Sequence, residues 1–174
     1  MEKILIIVDM QKDFVDGSLG TKEAQAIVPE VKKKIENFDG DIIFTKDTHG
    51  GDYMSTQEGQ NLPVPHCIKE TEGHEIIEEL QPYIKKSLAV FEKETFGSRK
   101  LANFLKELHK EKEIESIELI GLCTDICVVS NALLIKAFLP EVPISVDSKC
   151  CAGVTPEKHE SALEVMRSCQ IVIW

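Results

Sequence analysis

The feature that most constrains this chain is a rhythm: short, almost wholly apolar runs alternating with longer stretches of helical spacing. The runs at 4–8, 42–45, 88–91, 117–122, 144–146 and 171–174 lack the period of a half-exposed strand. They read as strands buried on both faces. Between them, Ile27, Val31, Ile35 and Phe38 share one helical face, and so do Leu101, Phe104, Leu105 and Leu108, each stripe backed by Lys and Glu. Thr155, Pro156 and Glu157 supply an N-cap, a first-position proline and an early acid ahead of Ala162, Leu163, Val165 and Met166. Residues 126–138 are apolar almost all round and predict the most buried helix.

Strands alternating with helices imply right-handed βαβ units and therefore a parallel sheet with helices on both faces. The expected fold is α/β: a three-layer αβα sandwich with a mostly parallel six-stranded sheet, formed as a single domain over 1–174, since 174 residues are enough for one core. Residues 48–72 break the rhythm. They are rich in Gly, Pro and polar residues and form a connection longer than a compact domain usually needs, which favours a functional loop.

A formal net charge of −10 and a pI near 5.0 argue against a phosphate-backbone partner, which needs clustered Lys and Arg. No run is long enough for a membrane span, so the expected location is the cytoplasm. There the six cysteines are read as reduced thiols, with Cys67, Cys150, Cys151 and Cys169 taken as ordinary small residues.

In open parallel sheets ligands bind beyond the carboxyl ends of the strands. Asp9 follows the first apolar run, Asp47 and His49 the second, Glu92 and Lys93 the third, and the fourth leads through Gly121 and Cys123 to Cys127. At a strand-to-helix junction the Cys127 sulfur is expected to meet a helix N-terminus, which favours the thiolate. Lys93 would assist ionisation and Asp9 would accept the proton. Taken singly, each has a dull explanation; three complementary groups at three strand ends are harder to dismiss.

The segments 7–14 (IVDMQKDF), 44–49 (FTKDTH), 65–67 (PHC), 92–96 (EKETF) and 121–128 (GLCTDICV) resemble, in the same order, the signatures of the isochorismatase-like cysteine hydrolases. The resemblance spans nearly the whole chain. It implies a catalytic triad of Asp9 as base, Lys93 as charged partner and Cys127 as nucleophile. It also implies a cis peptide at Leu122–Cys123 and an oxyanion hole from the backbone N–H groups of Cys123 and Cys127. Asp47, His49 and His66, with Glu58 as a less certain member, resemble the nicotinamidase metal site; such a donor set suits one divalent ion, Zn first, with Fe and Mn also fitting.

The function implied is hydrolysis of nicotinamide, or a similar small amide, to the acid and ammonia through a thioester, with no organic cofactor. The remaining alternatives are an N-carbamoyl or ureido amidase, an isochorismatase, and a non-catalytic redox or metal-binding module. An aromatic that many nicotinamidases carry before the Pro-x-His stretch is missing from 61–66, which leaves Phe14 and Phe96 to stack on the substrate ring. Family habit implies a homo-oligomer. His74, His109 and His159 are assigned to charged helical faces.

Overall fold

The computed structural model describes residues 2–174. In chain order the elements are β1 (Glu2–Val8), α1 (Lys12–Val15), α2 (Lys22–Asn37), β2 (Asp41–Asp47), α3 (Gln57–Asn61), α4 (Gln81–Ile84), β3 (Ala89–Lys93), α5 (Arg99–Glu111), β4 (Ile114–Leu122), α6 (Val129–Phe138), β5 (Ile144–Ala152), α7 (Pro156–Ser168) and β6 (Val172–Ile173). The strands form one six-stranded sheet in the order β3-β2-β1-β4-β5-β6, and every pairing is parallel.

The uniform apolarity of β1 follows from its place at the centre. Ile4, Ile6 and Val8 join the core beneath α5, α6 and α7. Leu5 and Ile7 join the core beneath α2. Neither face meets water, and Ile4 through Val8 are all fully buried. The two cores are the two interfaces of a three-layer αβα sandwich. The surface helices start where side-chain caps predict: Thr21, Ser98 and Thr155 each accept a backbone N–H three residues on.

Two elements differ from the reading of the sequence. β5 runs on to Ala152, past the polar stretch Asp147, Ser148 and Lys149, because its pairing with β4 shifts register between Leu119 and Gly121 and resumes at Gly121↔Cys151. The apolar stretch from 126 begins as a wide turn over Thr124–Val128 and becomes α6 only at Val129. Within α6 Ala137 alone is exposed, as the patterning predicts. Cys67, Cys150 and Cys151 are buried free thiols and Cys169 is an exposed one.

Gly121 is fixed by space. Its backbone stands at φ +113°, and a Cβ there would fall 2.2 Å from the carbonyl oxygen of Val8, so only glycine allows the ends of β1 and β4 to approach this closely. Asp9 leaves one of these ends and the turn carrying Cys127 leaves the other.

Candidate active site

Asp9 is the first residue beyond β1 and turns the chain through a left-handed backbone at φ +46°, a conformation that costs a non-glycine residue about 1–3 kcal/mol and clusters at functional sites. Its carboxylate is fully buried. Oδ1 accepts the Thr45 hydroxyl at 2.6 Å. Oδ2 lies 2.6 Å from Nζ of Lys93 and takes no other hydrogen bond among the described residues.

Lys93 ends β3, in register with Asp47 at the end of β2. Its ammonium also lies 3.3 Å from Oδ1 of Asp47 and 3.3 Å from Sγ of Cys127. Cys127 is carried by the turn after β4, which is wound wide: the N–H of Val128 reaches back to the carbonyl of Cys123 at 3.0 Å. The Leu122–Cys123 peptide is cis.

Burial pushes the Cys127 thiol well above its ordinary range and the Asp9 carboxylate adds to this, with Lys93 opposing. Burial therefore works against the expected thiolate. Burial likewise raises Asp9 against the pull of Lys93. Desolvation works against the charge on Lys93, yet Asp9 and Asp47 raise it well above a normal lysine, so it stays an ammonium. Burial thus favours a neutral thiol beside the Lys93 ammonium.

Asp47, His49, Glu58 and His66 form a second cluster against the first, with their candidate ligand atoms all within 4.8 Å of one another. Nε2 of His49 is 2.9 Å from Oδ2 of Asp47, and Nε2 of His66 is 3.5 Å from the same oxygen. Oε1 of Glu58 is 3.6 Å from His49 and 3.7 Å from His66. Burial opposes ionisation of Asp47, but hydrogen bonds from His49 and His66 and the charge of Lys93 hold its carboxyl well below the usual range. Nδ1 of His66 is held by the Val64 carbonyl at 2.8 Å, which leaves Nε2 to face the cluster. Two carboxylates and two oriented imidazoles, nearly closed off from water, are a donor set suited to a borderline divalent ion.

Both clusters border a cavity of about 560 Å³, whose wall includes Phe14, Asp47, His66, Phe96, Cys123 and Cys127. Phe14 is buried and packs against His66 with ring centroids 5.4 Å apart. Phe96 is 45% exposed and stands in the wall as an open side chain rather than as core.

Several supporting residues escaped the reading of the sequence. The buried Gln11 accepts the N–H of Asp47 at 2.7 Å and donates to the Asp47 carbonyl at 2.8 Å and the His74 carbonyl at 2.9 Å. Asp13 accepts the N–H of Cys67 at 2.8 Å. Asn131 donates to the Cys127 carbonyl at 2.8 Å and the Phe96 carbonyl at 3.1 Å, and accepts the Ser98 N–H at 2.9 Å. A buried amide one turn past Cys127 in an apolar helix was the available signal. His74 is not on a charged face: it is buried, with Nε2 2.8 Å from the Thr48 hydroxyl. His159 also has a partner, the Thr124 hydroxyl at 2.7 Å, and His109 accepts the Ile114 N–H.

The model of the isochorismatase domain matches residues 3–173. The chain belongs to the isochorismatase family. Within that family, the isochorismatase family protein PncA of Bacillus subtilis is 31% identical to it, over 94% of this chain and 93% of its own length. A nicotinamidase of Schizosaccharomyces pombe is 28% identical over 97% of this chain and 91% of its own. Among solved structures, the pyrazinamidase of Pyrococcus horikoshii in complex with zinc superposes with a TM-score of 0.82 at 28% identity, covering 100% of this chain and 99% of that one. The parallel six-stranded sandwich is the isochorismatase-family fold. Among the described residues no helix is long and apolar enough to cross a membrane.

Proposed function

We propose that this isochorismatase-family protein is a nicotinamidase-like cysteine amidohydrolase, converting nicotinamide or a similar small amide to the acid and ammonia. The observation that carries this reading is the junction of the two clusters at Asp47, one of whose carboxylate oxygens faces Lys93 while the other faces the histidines. A nucleophile and a candidate ligand set therefore share one wall of one cavity.

Because the thiol rests protonated, it needs a base at the moment of attack, and the fully buried Asp9 is that base. The thiol proton passes to the Asp9 carboxylate as sulfur bonds to the carboxamide carbon, and the carbonyl oxygen takes up the charge. The backbone N–H groups of Cys123 and Cys127 receive that oxygen; loss of one such donor typically costs a hundredfold or more. Asp9 then gives the proton to the departing nitrogen, leaving ammonia and a thioester on Cys127. Water yields a proton to Asp9 and its oxygen to the thioester carbon; the sulfur leaves and recovers the proton as the acid departs. Lys93 keeps its charge throughout and balances Asp9.

Asp47, His49, Glu58 and His66 would hold one divalent ion, zinc fitting best, which when bound would supply positive charge and an anchoring position for a ring nitrogen. Phe14 and Phe96 would flank the ring, Phe96 loosely. No organic cofactor enters this chemistry. An N-carbamoyl amide remains the competing substrate.

Ammonia release is to be measured on zinc-loaded protein with nicotinamide, pyrazinamide, benzamide and a carbamoyl amino acid, together with metal content and the Cys127→Ala variant. Nicotinamide is expected to be the best of the four by kcat/KM, and Cys127→Ala to be inert with its metal retained. Equal rates for benzamide and nicotinamide would sink the anchored-ring reading. Reaction of the carbamoyl compound alone would replace the substrate assignment.

A further inference from the structure

The turn that carries Cys127 is fastened to α7 and to the segment just past the end of β5 by residues that belong to neither cluster. Thr124, one residue after the cis peptide and three before the nucleophile, is fully buried, so its hydroxyl needs a partner inside the protein. It has one: Nδ1 of His159, in the second turn of α7, at 2.7 Å. A second tie lies beside it, where Oδ1 of Asp125 accepts the N–H of Val154 at 3.0 Å. The space between is closed by Gly153, where a Cβ would come within 2.8 Å of the His159 backbone nitrogen and 2.9 Å of the Asp125 carboxylate. α7 is thus pressed onto the turn at the point where Cys123 and Cys127 must be aimed.

We propose that His159 is a positioning residue for the nucleophile turn, holding through Thr124 the segment that aims the Cys127 sulfur and the two backbone donors. Burial holds the His159 imidazole below its ordinary range, with Glu160 and Asp125 pulling the other way. The imidazole is therefore neutral at pH 7, with a lone pair free for the Thr124 hydroxyl if Nε2 carries the proton. The effect falls on chemistry rather than on binding: neither His159 nor Thr124 is among the residues lining the cavity.

The inference rests on the amidase reading, and the test separates the two. Zinc-loaded wild type and the variants His159→Gln, His159→Ala, Thr124→Val and the double variant Thr124→Val/His159→Ala are compared for nicotinamide kinetics per folded molecule. The rate of Cys127 alkylation by iodoacetamide is read peptide by peptide on the same samples. His159→Ala is expected to lower kcat by about tenfold to a hundredfold, as small misplacements near a reacting centre do, with KM little changed. His159→Gln, which keeps an acceptor, is expected to restore most of the loss. Thr124→Val is expected to match His159→Ala, and the double variant to be no worse than either, since the two act as one unit. Unchanged kcat in His159→Ala, no recovery in His159→Gln, or additive losses in the double variant overturns the proposal. If His159→Ala does not fold, the nearly isosteric Thr124→Val decides alone. If wild type releases no ammonia, the amidase reading falls and the alkylation rates judge His159: a parallel several-fold change in His159→Ala and Thr124→Val upholds its role, and wild-type rates in both refute it.

Discussion

Lys93 and Lys34 each sit between a pair of carboxylates, and only one of them stands in the candidate active site. Lys93 lies 2.6 Å from Asp9 and 3.3 Å from Asp47. Lys34, on α2, lies 2.7 Å from Glu118 of β4 and 2.7 Å from Asp147 of β5. By distance alone the second triad is the tighter. What sets the first apart is its surroundings: it is almost fully buried, it stands at strand carboxyl ends, and a thiol shares the ammonium at 3.3 Å. The Lys34 side chain is 26% exposed and borders an open groove whose wall includes Glu30, Lys33, Lys149 and Cys150. A cation between two acids thus stands at an open surface in one place and beside a buried thiol in the other. Burial and company separate the two.

The comparison can be broken by exchanging each lysine for methionine. Lys93→Met is expected to lower nicotinamide kcat/KM by about a hundredfold to a thousandfold, as loss of a preorganised charge does. It should also cost about 3–5 kcal/mol of stability, because two buried carboxylates lose their cation. Lys34→Met is expected to cost about 1–3 kcal/mol in a urea melt, between the values for exposed and buried pairs, with kcat per folded molecule unchanged. If Lys34→Met lowers kcat as Lys93→Met does, the distinction drawn above fails.

A smaller effect sharpens the same contrast. Hydrogen bonds and charge from Glu118 and Asp147 raise Lys34 well above its ordinary range even though burial opposes them. A raised folded pKa means that the folded state keeps the proton after the unfolded chain has lost it. The contribution is therefore full below an unfolded lysine pKa of about 10.4 and declines as pH rises beyond it. Urea midpoints taken from pH 8 to 11 should fall more steeply at the alkaline end for wild type than for Lys34→Met. Parallel curves would remove Lys34 from the account.

Most of the fold was legible because buried parallel strands leave an unmistakable mark. All six apolar runs became strands, and the sheet followed from their alternation with helices. β5 was legible only as far as Val146, since Asp147 and Lys149 follow within the strand and an apolar-run criterion stops at the first charge. The positions at strand ends were equally readable: Asp9, Lys93 and Cys127 meet, and Asp47 at the end of β2 is joined by His49, Glu58 and His66 from a connection whose length marked it in advance. The thiol's protonation was not legible, because position at a helix start can be read from sequence and depth of burial cannot. Gln11, Asn131 and His159 were missed for a related reason. They act through hydrogen bonds to main chain or to a single hydroxyl, and although a polar residue can be noticed in an apolar setting, as at Asn131, its partner cannot be read from the sequence.

The strand order has a consequence for how the molecule comes into being. β1 lies at the sheet centre, paired with β2 on one side and with β4 on the other, so Asp9 and Cys127 become neighbours only when segments more than a hundred residues apart close on each other. Such distant pairing pays its entropy before its contacts form and is slow compared with local structure. During synthesis the first 93 residues can bring together the acids, the histidines and the lysine without the Cys127 thiol, and one flank of β1 stays open until β4 arrives. The Cys127 thiol is the last component delivered.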